Sequence, residues 1–219
     1  MILMLQTYFN ITVAAEWVAF IAALLLLNKS TGNWRLFIPW LFFVLCIETI
    51  GWYKTNVLHI RGNSLPFNIN IIVSDVFLLW FLTTSPQIYG KRQYFYRAIA
   101  AFVVFAVLNL LFFEKTVAYN SVSDVIGGIL QALFSGYLVY GIIKDETHER
   151  SLFDHEYFWL SIGVLFSAMG SAVLNVFLTE LQAYADKTHI NVYGYINYSV
   201  NILFCTCLII AFICRRTTR

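Results

Sequence analysis

The chain has 219 residues, of which 60% are hydrophobic and 12% charged, and its net charge is +2. A soluble domain carries about 25% charged residues, so the composition excludes an ordinary water-soluble globule. No run of adjacent basic residues exceeds two, which excludes a nucleic-acid surface built on a basic patch.

A hydrocarbon core of about 30 Å needs roughly 20 mainly apolar residues per helix, and seven runs meet that demand. Span one covers 11–27 and holds Glu16. No Lys or Arg precedes residue 29, so this span reads as a retained helix and not as a cleaved signal peptide. Span two, 36–57, carries Pro39 in its first turn, where proline is tolerated, and then Cys46 and Glu48. Span three, 66–87, lies between Pro66 and Pro86 and carries Asn68 and Asp75, seven apart and so on one helix face. Span four, 97–114, is short and holds Asn109 near one end; it could reach further at either end. Span five, 121–143, carries Asp124, Gly128, Gln131 and Ser135 on a single helical stripe. Span six, 157–179, repeats Gly163, Ser167 and Ser171 every four residues, with Ala168, Gly170 and Ala172 beside them and Asn175 further on. Such small-residue faces let helices pack closely inside a bundle. Span seven, 191–214, places Tyr193, Asn197 and Asn201 on one stripe. Runs such as 18–27 and 103–113 are apolar on almost every face, unlike the alternating segments of a membrane barrel. The expected fold class is all-α: one polytopic domain over 1–219, a bundle of seven transmembrane helices.

Charge sets the expected orientation. Loops 1–2, 3–4 and 5–6 and the tail carry ten basic residues: Lys29, Arg35, Lys91, Arg92, Arg97, Lys144, Arg150, Arg215, Arg216 and Arg219. The opposite loops carry four: Lys54, Arg61, Lys115 and Lys187. The positive-inside rule puts the N-terminus outside and the C-terminus in the cytoplasm. Trp34, Trp40, Tyr94 and Trp159 on the inner side, and Trp52, Tyr53, Tyr119 and Tyr193 on the outer, read as interfacial belts. Short loops without disulfides suit the cell membrane of a bacterium. Cys46, Cys205, Cys207 and Cys214 all fall in spans and read as small packing residues.

Three carboxylates, Glu16, Glu48 and Asp75, lie well inside spans with no basic residue at their depth. An ionised Asp at a helix centre costs about 2.5–3.5 kcal/mol on insertion scales, and such residues usually mark function. Asn109, Asp124, Gln131, Asn175, Asn197 and Asn201 fall in the outer halves, with Asn68 on the face of Asp75. Together these ten residues outline an expected polar pocket opening outward, with Glu48 and Asp75 at its floor. The plainer reading of the Asn residues is interhelical hydrogen bonding, worth about 0.6 kcal/mol each.

Other seven-helix chemistries lack their residues. Span seven has no Lys for a retinal Schiff base. His59, His148, His155 and His189 all fall in loops, so a catalytic zinc with three protein ligands has no helical donors. No metal and no cofactor are expected. The segment 144–156 is the longest cytoplasmic loop and the expected docking surface for a protein partner; the lipid bilayer is the other partner.

Several elements together resemble an uncharacterised family of small bacterial seven-helix membrane proteins. They are Glu48-x-x-Gly51, then Asn68, Asn70 and Asp75, Asn109, Phe158-Trp159 with Gly163 and Phe166, Ile196-Asn197, Asn201-Ile202 and Ala211-Phe212-Ile213-Cys214. Asp75 stands where the family pattern has Glu. The resemblance implies the topology and a shared polar site, and no activity. Three functions stay open at this stage: a sensory or accessory subunit with an outward pocket, a proton-coupled small-molecule transporter using the carboxylates, and a lipid-modifying membrane enzyme.

Overall fold

The computed structural model describes residues 2–30, 32–56, 64–113, 121–144 and 151–217. His59, Arg61, Lys115, Tyr119, His148, Arg150, Arg219, the side chain of Trp52 and the span ends at 57 and 114 lie outside that description. All regular structure among the described residues is helical. The helices are α1 Ile2–Leu27, α2 Phe37–Asn56, α3 Ser64–Leu82, α4 Arg92–Leu108, α5 Ser121–Lys144, α6 Glu156–Val176, α7 Leu178–Thr188 and α8 Val192–Thr217. Helices that satisfy their own backbone groups are what apolar runs of this length form in lipid.

Six helical stretches are long and apolar enough to cross a bilayer: Asn33–Gly51, Leu65–Leu82, Pro86–Phe112, Val122–Lys144, Glu156–Val176 and Val192–Thr217. The described apolar part of α1, Ile11–Leu27, is shorter. Val18, Leu25, Leu133, Ile143 and Val176 are exposed on the perimeter, the arrangement expected of side chains that meet lipid tails.

The packing centre is formed by α5, α6 and α8, with α1 laid against α8 and α2. Small residues on α6 set these distances. A Cβ on Gly163 would stand 2.7 Å from Cys207 Cβ, and one on Gly170 would stand 2.6 Å from Val200 Cγ2, so both glycines face α8. On the α5 side, a Cβ at Gly128 would come within 3.2 Å of the Ala168 carbonyl oxygen. The small-residue face thus packs within the bundle.

Several span boundaries differ from those expected; α1 begins at Ile2 rather than 11, and α8 runs on to Thr217 rather than 214. α3 stops at Leu82, not 87. Thr83 and Thr84 turn their hydroxyls back onto the carbonyls of Trp80 and Phe81. Ser85 is extended ahead of Pro86 (ψ 140°), as the residue before proline prefers to be. α4 begins at Arg92, five residues before the expected start, and passes into a π-helical turn at Asn109–Phe113. α6 ends at Val176; Phe177 (φ −99°, ψ 16°) opens the turn, and a separate helix, α7, follows where a loop was expected.

The aromatic belts also need correction. Trp34 and Trp40 are 2% and 7% exposed and belong to the core. Trp34 meets Phe81 and Tyr157 edge-on at 5.0 and 5.3 Å between ring centres. Phe37 meets Phe81 and Phe212 at 4.5 and 5.3 Å. Trp40 stacks on Phe77 at 4.9 Å. These rings fill one end of the bundle, the Trp34 end, where apolar contact area gains more than an interfacial position offers. Tyr53 and Tyr94 are exposed. Trp159 donates its indole N–H to the Phe153 carbonyl at 2.7 Å, and Tyr193 lines a cavity at the opposite, Tyr193 end.

Candidate functional site

The antiparallel course of the helices brings the C-terminal half of α2 to one end of the bundle with the N-terminal parts of α3, α5 and α8. Their polar residues meet around a cavity of about 520 Å3. α1 contributes Thr12 and Glu16, and α2 contributes Glu48. α3 contributes Asn70, Ser74 and Asp75, and α5 contributes Asp124 and Gln131. α6 adds Ser167 and Ser171, while α8 adds Tyr193, Asn197, Tyr198 and Asn201. Below the carboxylates the wall turns apolar at Trp40, Leu41, Leu78 and Leu208. Trp40 lies two helical turns beyond Glu48, so the acids stand on the wall and the floor is apolar, deeper than expected.

Asp75 is the most enclosed of the acids, 8% exposed. Gln131 donates its amide N–H to Asp75 Oδ1 at 2.7 Å, joining α3 to α5. Asp75 Oδ2 is buried with no hydrogen-bond partner. It lies against Gly127, where any Cβ would overlap the carboxylate. Glu16 Oε2 and Thr12 Oγ1, both on α1, are likewise buried without a partner. Glu16 on α1, Glu48 on α2, Asp75 on α3 and Asp124 on α5 all stand on the cavity wall. No Lys, Arg or His is among the described lining residues.

The remaining polar groups brace this wall. Asn175 donates to Asp124 Oδ2 at 2.6 Å, from α6 to α5. Trp40 Nε1–H donates to Ser74 Oγ at 3.2 Å, and Ser74 in turn donates to Asn70 Oδ1 at 3.2 Å. Asn201 Nδ2 donates to the carbonyl of Asn197 at 3.0 Å, within α8.

Of the residues expected at the pocket, Glu16, Glu48, Asp75, Asp124, Gln131, Asn197 and Asn201 line the cavity, and Asn68, Asn109 and Asn175 do not. Asn175 supports Asp124 from behind. Asn109, at the start of the π turn, donates to Ser123 Oγ at 3.1 Å and so fixes α4 to α5. Asn68 is fully buried beside the site. α4 therefore lends the cavity no lining residue. Asn70, Ser74, Thr12, Ser167, Ser171 and Tyr198 were not singled out as pocket residues. The four-residue step from Asn70 to Ser74 to Leu78 was the signal available for α3. Among the described residues no three His, Cys, Asp or Glu side chains gather to hold a metal ion. No family model, no curated protein and no solved structure matches this chain.

Proposed function

We propose that this chain is a sensory or accessory subunit of a cell membrane. In this reading all seven spans cross the bilayer, α1 included, with the N-terminus outside and the C-terminus in the cytoplasm. A small ligand enters the cavity from outside, and the resulting helix shift reaches a cytoplasmic partner at 144–156. The observation that carries the reading is a polar cavity at one end of a bundle whose other end is filled by interlocking rings. Such a body suits holding a ligand more than passing one through. α8 supplies the link: Asn197 and Asn201 line the cavity, and Arg215, about four turns beyond Asn201, pairs with Glu156 at 3.0 Å beside the proposed docking loop.

A native mass spectrum of protein extracted gently from its own membrane tests this. A second protein mass, lost when 145–150 is deleted while the bundle still folds, is the expected result. A bare chain in both preparations would sink it. Orientation is tested by cysteines in place of Glu180 and Phe153: an impermeant thiol reagent added outside should label the first and spare the second. Cysteines in place of Asp75 and Asn201 should also react with a small polar thiol reagent from outside; protection of both would rule out the open pocket.

A transporter remains the second reading, favoured by the partnerless carboxylate oxygens of Glu16 and Asp75. Proton-coupled uptake into liposomes that is abolished by Asp75→Asn would favour it over the subunit.

A further inference from the structure

The ligand's chemistry follows from what the cavity wall lacks. Resting on the proposed outward pocket, we infer that the cavity takes a small organic cation: an amine with one ammonium group on an apolar body. The cavity presents Glu16, Glu48, Asp75 and Asp124 and no basic side chain among its described lining residues. Asp75 is more than nine-tenths buried, and its Oδ2 accepts no hydrogen bond. A buried acceptor left without a donor is destabilising. An ammonium supplies several N–H donors to a wall of carboxyl groups.

Rival ligands fit less well. An anion would meet four acidic side chains and no basic one among the described lining residues. A neutral alcohol offers a single O–H donor where an ammonium offers three N–H donors. A bare metal ion needs convergent ligands, and no three acids gather among the described residues. A volume of about 520 Å3 falls in the range of small-molecule pockets, about 300–1,000 Å3. Phe67, Tyr193 and Tyr198 also line the cavity, and aromatic rings attract ammonium groups.

The test uses the full chain in lipid nanodiscs and three probes of matched shape: phenethylamine, 2-phenylethanol and phenylacetate. Calorimetry should detect phenethylamine binding and none, or far weaker binding, of the other two. Asp75→Asn and Glu48→Gln should each weaken the amine at least about tenfold, while Glu180→Gln on the exposed surface of α7 should not. Equal binding of the alcohol or the acid, absence of amine binding, or unchanged affinity in both carboxylate variants would overturn the inference. Should Asp75→Asn fail to fold, Glu48→Gln alone decides the variant arm. The partner experiment above is run without amine. Loss of amine selectivity with the partner retained overturns only this inference, and the reverse result overturns only the subunit reading.

Discussion

Asp75 is held between a donor and a void-filling neighbour. Gln131 gives it one hydrogen bond, and the bare backbone of Gly127 gives it room. Gly127→Ala should lower stability by about 1–3 kcal/mol, because overpacking moves side chains off their preferred positions. The added methyl also meets the Phe102 ring at 3.0 Å. Thermal unfolding in nanodiscs measures the loss. Asp75→Ala in the same chain should recover most of it, giving a coupling that two independent sites would not show. Gln131→Leu keeps the volume but removes the donor, and should cost about 1–3 kcal/mol in the same measurement. A change within error would mean that water or a second group already serves Asp75.

At the scale of the helix, closeness to a neighbour decides what a glycine is worth. Gly163 touches α8, whereas a Cβ at Gly136 on α5 would meet nothing within 4 Å. Gly163→Val should therefore part α6 from α8 and lower the unfolding temperature, while Gly136→Ala should leave it unchanged or slightly raised. Equal effects would contradict the packing described here. The same scale shows what could be read from the residues. Apolar runs located six bilayer-length helices because nothing but a helix satisfies such a backbone in lipid. The break after Val176 was hidden, since no Pro or Gly marks it and Leu178 and Leu181 continue the apolar pattern. The helix beyond was legible only in hindsight: Leu178, Leu181 and Ala185 are the half-buried stripe of α7, among Glu180, Asp186 and Lys187. Within the site, stripes on α5 and α8 were readable from spacing alone. Which face of α3 met the cavity was not, because Asn68 and Asn70 are both polar and only packing separates them. Trp34 and Trp40 misled for a related reason: an aromatic near a span end suits either an interface or a core.

For the whole molecule, the ring cluster at the Trp34 end separates the cavity from the opposite surface. Trp34→Ala should cost about 3–5 kcal/mol, since it leaves a hole among Phe37, Phe81, Tyr157 and Phe212 and removes the ring beneath the Arg215 guanidinium, 6.0 Å away. Unfolding measurements on the reconstituted protein check the magnitude. Little change would mean that the neighbouring rings close the gap.

The pairing of α1 with α8 also constrains how the protein is made. About 165 residues separate Leu27 from Val192, and at about 5–20 residues per second α1 waits for roughly 10–30 s before its neighbour is synthesised. Through that interval Glu16 sits on a helix with one flank unclaimed. Newly made chains are therefore most vulnerable to quality-control proteolysis before α8 docks, and substitutions that delay docking should reduce yield even where the finished bundle is stable.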